Sequence, residues 1–246
     1  MDREASVRAY YQELMASWGP QDWWPAYTRF EVIVGAFLTQ NTAWTNVERA
    51  LRRLREHGVL NPDGIRRTPL PKLARMIRSS GYFRQKAQRL KNFVSYLDAR
   101  YGGSLGRMFT QPTAKLREEL LSLNGVGPET ADSILLYAGG HPVFVVDAYT
   151  RRIFERHGLI TTKARYEDLR QLVERALQQA LAAAGDPPPA SPLPGRRRHK
   201  FVIRRATSAA RAFDEFHALL VQAAKHHCLK AQAHCPGCPL ERFLKK

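Results

Sequence analysis

The chain has 246 residues, 44% of them hydrophobic, which is enough for one large or two small domains with a packed core. Its 39 Lys and Arg residues against 22 Asp and Glu residues give a net charge of +17, which predicts binding to a polyanion, with a ribosomal-type or a membrane-surface protein as alternatives. The sequence contains no apolar run of about 18 residues and no apolar N-terminal core, so we expect no membrane span, no secretory signal and a cytoplasmic, nucleoid-associated protein.

Helical periodicity dominates the first half of the chain. Residues 1–17 carry apolar side chains at helical spacing. The nearly all-apolar stretch Phe30–Gln40 fits a buried strand or a buried helix, and Gly35 and Ala36 in its middle favour the helix. Four more helices with short connections are predicted between residues 45 and 122, which indicates an all-α orthogonal bundle.

Tryptophans cluster on both sides of that apolar stretch. Trp24 belongs to the turn-rich segment Trp18–Pro25, and Trp44 follows the apolar stretch. An aromatic loop is suited to stacking on nucleobases, whereas indoles that plug the edge of a domain are the alternative. An aromatic residue on an amphipathic helix, as at Trp44, more commonly belongs to the core.

The segment 123–147 begins with a glycine-rich turn and ends with a single carboxylate. Gly125 and Gly127 permit close backbone approach, and Pro128 suits the first turn of a helix, where its missing N–H costs nothing. Such a turn can direct main-chain N–H groups at a phosphate, although an ordinary helix–turn–helix corner has the same residues. After a further helix-prone stretch, the apolar run Val143–Val146 ends on Asp147, which fits the N-cap of the following helix.

In the C-terminal third, two long helices are separated by a segment that cannot build a core. The first is predicted at 161–184, as one long helix or a helix pair, and the second at 207–227. The segment 185–206 combines five prolines with a basic run, which predicts a flexible insertion that is solvated or that grips a polyanionic backbone. After the last helix come three clustered cysteines, an odd set that favours a metal or cluster site over a disulfide scaffold.

The order of these features resembles one known family. Leu-x-Gly-x-Gly-x-x-Thr-Ala, a helix, and an apolar run closing on Val-Asp are similar to the helix-hairpin-helix DNA glycosylases, the superfamily of endonuclease III. The resemblance spans residues 28–159 and resumes near residue 213. It implies an endonuclease III-like orthogonal bundle with two α subdomains and a C-terminal Cys-containing loop. The expected parts are a six-helix bundle at 26–142, with its hairpin near 115–138, and a terminal helical subdomain made of 1–25 and 143–246.

The resemblance also implies roles for particular residues. Asp147 would be the catalytic carboxylate, because one acid beside the sugar can stabilise an oxocarbenium-like charge and orient water. Gln40, with Asn41, matches the segment that pushes an amide side chain into the duplex when the damaged base is flipped out. Contacts to DNA phosphates are implied for the hairpin and for a Gly-x-x-x-x-Lys-Ala step, namely for Gly125, Val126, Gly127, Thr130 and Lys86. A solvated lysine is the alternative at position 86.

Three residues refine this resemblance. Trp24 and Trp44 match positions at which the 3-methyladenine DNA glycosylases called MagIII sandwich an alkylated purine between aromatic rings. A methylated purine carries positive charge, and a cation over an indole face gains about 0.5–2 kcal/mol.

Glu129 stands where lyase-active members carry the lysine of Gly-Val-Gly-x-Lys. Because a carboxylate cannot form an imine with the sugar, a monofunctional glycosylase is expected.

The cysteines match an iron–sulfur motif incompletely. Cys228, Cys235 and Cys238 fit the first three positions of the family spacing Cys-x6-Cys-x2-Cys-x5-Cys, but Leu244 occupies the fourth. The loop 228–244 is therefore expected to hold a [4Fe–4S] cluster with an incomplete ligand set, completed by a nearby histidine or an exogenous ligand. Zinc, or no metal at all, is the alternative.

The predicted function is that of a monomeric base excision DNA glycosylase. It would act on double-stranded DNA that contains a damaged base, with an alkylated purine such as 3-methyladenine as the expected substrate. One alternative is an endonuclease III-like glycosylase and AP lyase that acts on oxidised pyrimidines. Another is a helix-hairpin-helix DNA-binding protein without enzymatic activity, in which Asp147 is only a helix cap.

Overall fold

The computed structural model of the protein describes residues 2–21, 26–184 and 206–244. Regular secondary structure in these ranges is helical, with no strand, so the all-α prediction is confirmed. None of these helices combines the length and the apolar character needed to cross a membrane. Trp24 and the predicted insertion, except for its last residue, lie outside the described ranges.

The helices follow one another with short connections. They are α1 (Arg3–Trp18), α2 (Arg29–Thr39), α3 (Trp44–Glu56), α4 (Pro62–Arg67), α5 (Leu70–Met76), α6 (Phe83–Tyr101), α7 (Leu105–Met108), α8 (Thr113–Leu121), α9 (Pro128–Ser133), α10 (Ala148–Arg156), α11 (Tyr166–Ala184) and α12 (Ser208–His226). Short 3-10 turns cover Arg78–Ser80 and Glu241–Phe243, and a π-helical turn, Ile134–Gly139, continues α9. The chain divides into a central unit, described for 26–139, and a terminal unit, described for 2–21, 140–184 and 206–244.

The central unit contains eight α-helices within residues 26–139, where the sequence predicted six. The two helices in excess are α4 and α7, which are too short to show an apolar period. Each begins at a capping side chain instead. Asn61 accepts the N–H of Gly64 at 2.7 Å, and Ser104 accepts the N–H of Arg107 at 3.2 Å.

The apolar helix α2 forms the core of the central unit. Thr28 caps it by accepting the N–H of Glu31 at 3.1 Å. Every residue from Phe30 to Leu38 is buried, because α3, α6, α9 and the π-helical turn all contact α2. A helix that is apolar all round requires such neighbours on every side. The choice between strand and helix for this stretch is therefore settled in favour of the helix.

In the terminal unit, α1 packs against α11 and α12, and α10 packs against α12. The core of this unit is rich in fully buried aromatic side chains, which are Tyr10, Phe144, Phe154, Phe213 and Phe216. The apolar run before α10 is extended. Its main-chain N–H groups at Phe144 and Val146 donate to the carboxylate of Glu174 at 2.9 Å and to the hydroxyl of Tyr166 at 3.3 Å. These bonds to α11 fix the main chain that leads to Asp147.

A buried ion pair joins the two helices of the hairpin, α8 and α9. Asp132 on α9 is fully buried, and the guanidinium of Arg117 on α8 donates to both of its oxygens, at 2.6 and 3.1 Å. A buried carboxylate is costly unless an opposite charge and hydrogen bonds accompany it. The pair therefore constrains how α8 and α9 pack, and with them the turn between the two helices.

Replacing Asp132 by alanine is expected to lower the free energy of unfolding by about 3–5 kcal/mol, because the largely buried Arg117 loses its carboxylate. The matched control is Asp98→Ala, which removes the more exposed pair with Arg66 and should cost at most about 1 kcal/mol. Urea denaturation of the two variants measures both losses. Equal losses would show that burial does not make the pair between Arg117 and Asp132 more important than an exposed one.

Candidate functional site

The hairpin turn between α8 and α9 contains two glycines of different character. Gly125 has a φ of +78°, and a Cβ there would overlap the side chain of Arg89, so this position requires glycine. Gly127 has a φ of −92°, and a Cβ there would meet no atom within 4 Å. The space in front of Gly127 is open, and it allows a group from outside to approach the main chain closely.

Gln40 supports this turn from within the central unit. Its amide nitrogen Nε2 donates to the carbonyl of Gly125 at 3.0 Å and to the hydroxyl of Thr130 at 2.9 Å, and its Oε1 accepts a hydrogen bond from Arg89. Insertion of Gln40 into a duplex would require the loss of these three bonds. Thr130 is 7% exposed and its hydroxyl faces Gln40. That hydroxyl is used within the protein, so the predicted phosphate contact of Thr130 stays a prediction for its main chain.

Lys86 is a buried connector, and its burial argues against the predicted contact with phosphate. The residue is 1% exposed, and its ammonium donates to the carbonyls of Leu38 at 2.8 Å and of Ser80 at 2.7 Å. Burial and the nearby charge of Arg89 lower the pKa of Lys86 to about 8. The ammonium thus ties the last turn of α2 to the 3-10 turn that precedes α6.

Two exposed residues lie next to the segments that Lys86 connects. Asn41, just after α2, and Tyr82, just before α6, are the only non-glycine residues with positive φ in the described ranges, at 54° and 43°. Asn41 is exposed, and Tyr82 is 66% exposed. Such backbone conformations are typical of functional sites. Tyr82 was not expected from the sequence, because helical periodicity carries no signal for an aromatic residue at a turn.

Trp44 is the first residue of α3 and is only partly buried, so it does not belong to the core. Its indole N–H donates to the carboxylate of Glu48 at 2.8 Å, one helical turn further along. This bond orients the ring and places a negative charge beside it. Trp24, the other predicted half of the base pocket, lies outside the described residues.

Glu129 lies in the first turn of α9 and is exposed. A carboxylate in the first turn interacts favourably with the positive end of the helix dipole. Val126, just before Gly127 in the turn, is 7% exposed, and its N–H donates to the carbonyl of Leu123 at 3.0 Å. The N–H of Val126 is thus used within the hairpin. A phosphate bound at this turn would have to be held by main-chain N–H groups of other residues.

Asp147 caps α10 with one oxygen of its carboxylate. Oδ1 accepts the N–H of Thr150 at 2.8 Å, whereas Oδ2 lies 3.4 Å from Nε2 of His217 on α12. Burial raises the pKa of Asp147, but the charge of His217 and the hydrogen bonds from His217 and Thr150 lower it more, so that the pKa lies below its usual value. The side chain is 14% exposed. Asp147 is therefore an ionised, oriented carboxylate that a ligand can still reach.

Two arginines of α10 hold the cysteine loop. Arg152 donates to the carbonyl of Cys228 at 2.7 Å, and Arg156 donates to the sulfur of Cys228 at 3.2 Å and to the next carbonyl at 2.7 Å. Burial and the neighbouring thiols raise the pKa of Cys238. Within the described ranges, no three His, Cys, Asp or Glu side chains are grouped so as to hold a metal ion. With Leu244 at the fourth position, the donors do not fit a complete four-thiolate cluster.

Known proteins with similar sequences share one family. The family model of the HhH-GPD superfamily of base excision DNA repair proteins matches residues 34–179. A Methanocaldococcus jannaschii protein named as a DNA repair glycosylase is 41% identical over 234 residues, which cover 95% of this chain and 93% of that protein. Endonuclease III of Thermotoga maritima is 32% identical over 62% of this chain and 65% of its own length.

Solved structures share the fold as well. The 3-methyladenine DNA glycosylase MagIII of H. pylori, bound to 1,N6-ethenoadenine, is 28% identical, with a TM-score of 0.71 over 92% of this chain and 98% of its own. Endonuclease III trapped in a covalent intermediate with DNA has a TM-score of 0.74 at 21% identity, over 100% of this chain and 97% of its own. The likeness to endonuclease III at this identity concerns the fold alone.

The pKa of Lys86 predicts a pH-dependent stability. Between the folded value of about 8 and the ordinary value of 10.5, the unfolded chain retains a proton that the folded chain has released. The contribution of Lys86 to the free energy of unfolding therefore rises with pH across this window, by at most about 3 kcal/mol. Lys86→Met lacks this contribution.

The measurement is urea denaturation of wild type and Lys86→Met at several pH values. The free energy of unfolding of the wild type should increase relative to that of Lys86→Met between pH 8 and pH 10.5. Lys115→Met, on the exposed side of α8, controls for the loss of one positive charge. A difference that stays constant with pH would refute the assigned burial of the Lys86 ammonium.

Proposed function

Since this chain belongs to the HhH-GPD superfamily of base excision DNA repair proteins, we propose that it hydrolyses the N-glycosidic bond of an alkylated purine in double-stranded DNA. It is a DNA glycosylase of the endonuclease III-like family. We assign 3-methyladenine as the representative substrate and base release without strand cleavage as the reaction. The observation that carries this proposal is the carboxylate of Asp147, which the N–H of Thr150 orients at the start of α10 and whose pKa lies below its usual value.

The reaction depends mainly on a fixed negative charge. As the bond to the base breaks, the sugar acquires oxocarbenium character. Asp147 stabilises that charge, and because Thr150 already holds Oδ1, the carboxylate needs little reorganisation in the transition state. The carboxylate also orients the attacking water or accepts its proton. The cap and the catalytic role are thus compatible in one side chain.

We assign DNA binding to the exposed turns of the central unit. Flipping a base costs a few kcal/mol of lost stacking and pairing, which side chains inserted into the duplex offset. We assign Asn41 as the inserted amide and Tyr82 as a stacking aromatic; their exposure on the turns that Lys86 connects supports this assignment. Gln40 then supports the hairpin, and the open main chain at Gly127 receives a phosphate.

The preference for an alkylated purine is supported at Trp44. Its ring is partly exposed, and the carboxylate of Glu48 bonds to the indole N–H. A cationic base stacked on this ring gains from the π-face, and the nearby carboxylate adds to that attraction. The H. pylori protein that is 28% identical is named as a 3-methyladenine DNA glycosylase. In our proposal Trp24 closes the other side of the base.

The purified protein is expected to release 3-methyladenine from alkylated duplex DNA. Asp147→Asn should release it slower by a factor of about 10²–10⁴ while binding the same DNA, because the transition state loses its charge partner. Asp168→Asn is the matched control, since it removes an exposed acid that pairs with Arg165 on the surface. Single-turnover base release measures the rates.

Other outcomes of this experiment select the alternatives. Release of thymine glycol in place of 3-methyladenine would identify an activity on oxidised pyrimidines. Base release by Asp147→Asn at the wild-type rate would remove this residue from the mechanism. No release by the wild type from any lesion in a mixed panel of oligonucleotides would leave a DNA-binding protein without catalysis.

No covalent intermediate is expected at the hairpin, since Glu129 supplies no amine. Borohydride added during turnover should therefore trap no protein–DNA complex with the wild type. Glu129→Lys puts an amine at this exposed position in the first turn of α9 and should produce trapped complex. Glu118→Lys, exposed on α8, adds the same charge elsewhere on the hairpin and should not. Trapping by the wild type would contradict the monofunctional assignment.

We propose that the cysteine loop keeps its fold through arginines and without a complete cluster. The purified protein should then contain fewer than four irons per chain, and a chelator should leave the midpoint of thermal unfolding unchanged. Arg156→Ala should lower that midpoint, because three hydrogen bonds to the loop are lost. Elemental analysis reports iron and zinc together. Four irons per chain, with a midpoint that falls on chelation, would contradict the proposal.

A further inference from the structure

We propose that His217 is the positioning residue of the catalytic carboxylate, and that its imidazole Nε2 holds the second oxygen of Asp147. This inference rests on the proposed function, because it gives His217 a role through Asp147. His217 lies in the middle of α12, and its Nε2 is 3.4 Å from Oδ2 of Asp147. An N–H at this nitrogen can donate to that oxygen.

The two oxygens of Asp147 face different helices, α10 and α12. Oδ1 is fixed by the N–H of Thr150, in the first turn of α10. A carboxylate held only there can still turn about its last side-chain torsion, which has a broad energy profile. A second contact from α12 restricts that rotation. The charge is then oriented before any substrate arrives, which is the condition for electrostatic stabilisation of a transition state.

The surroundings of His217 favour a polar role over a packing role. Its side chain is 6% exposed and lies edge-on to the ring of Phe144, with centroids 6.2 Å apart. An apolar residue of similar size would fill such a place in an aromatic core without the cost of burying a polar ring. Asp147 gives that polar ring a partner. The alternative, a core histidine that merely packs, predicts no effect on the chemistry of Asp147.

Among the groups around Asp147, His217 lowers the pKa of the carboxylate most. Burial of the carboxylate raises its pKa, and the charge and hydrogen bond of His217, with the hydrogen bonds from Thr150, lower it. From α11, Glu174 and Tyr166 bond to the main chain of Phe144 and Val146. Without His217 the burial would remain while the largest opposing contribution was lost. The pKa of Asp147 would rise, and protonation would begin at a higher pH.

The test compares His217→Leu with His217→Gln. Leucine fills space without a donor, whereas glutamine keeps an N–H donor but carries no charge. His217→Leu should slow single-turnover release of 3-methyladenine by a factor of about 10–10² at neutral pH, with an unchanged Kd for DNA. The acid limb of its pH–rate profile should move to higher pH. His217→Gln should recover most of the neutral rate while its acid limb remains shifted.

A second buried histidine of the terminal unit provides the control. His157 is 8% exposed, and its Nδ1 is 3.0 Å from the hydroxyl of Tyr10. His157→Leu removes a buried imidazole of the same unit and should lower thermal stability without moving the acid limb. Circular dichroism and thermal unfolding verify that each variant is folded. If His217→Leu does not fold, the acid limb of His217→Gln alone decides the question.

The outcomes separate this inference from the proposed function. The folded His217 variants could release the base at the wild-type rate with an unshifted acid limb, while Asp147→Asn is inactive. That result would overturn the inference and leave the proposed function intact. His217→Leu could instead be slower with an unshifted acid limb, without recovery in His217→Gln. That result would assign His217 to packing and would also overturn the inference. Full activity of Asp147→Asn would reject the proposed function and this inference with it.

Discussion

The ammonium of Lys86 is buried in the central unit, and its two hydrogen bonds to the carbonyls of Leu38 and Ser80 hold the exposed turns of that unit together. Those carbonyls belong to ends of helical segments, where main-chain acceptors lack partners within the helix. The donor that satisfies them also fixes the distance between the two segments. The turns that carry Asn41 and Tyr82 are thereby held relative to each other.

The same constraint recurs at the hairpin. Gln40 bonds to the carbonyl of Gly125 and to Thr130, and Arg117 pairs with the buried Asp132 between α8 and α9. Each of these polar groups lies behind the surface that we assign to DNA, not on it. Because a buried polar group is costly without its partner, such contacts make the turn rigid. A rigid turn keeps the main chain at Gly127 in one conformation.

In the terminal unit, the same principle acts on Asp147, the carboxylate to which we assign catalysis. Asp147 is both a helix cap and an oriented charge, since the cap occupies one oxygen and His217 approaches the other. The extended run before it is anchored to α11 through Glu174 and Tyr166. A carboxylate at the start of a helix, held from two sides, keeps its charge despite its burial. This is the electrostatic arrangement that cleavage at a sugar requires.

Several expectations from the sequence agree with the structure for identifiable reasons. The stretch from Phe30 to Leu38 is a buried helix, because its residues contact neighbours on all sides. The all-α fold and the family follow from long amphipathic segments and from the spacing around the hairpin. The short helices α4 and α7 escaped prediction, since a cap and a single turn leave no apolar period. The burial of Lys86 and Thr130 was not expected, because a motif names a residue type without its burial.

By itself, the sequence determined the features that depend only on residue type and local spacing. These are the helical class, the glycine turn, the lone carboxylate after an apolar run, the missing lysine at Glu129 and the missing cysteine at Leu244. Only the tertiary structure decided which side chains are buried and which groups meet. Lys86 turns inward and His217 reaches Asp147 because segments far apart in the chain pack together, and no local pattern encodes such contacts.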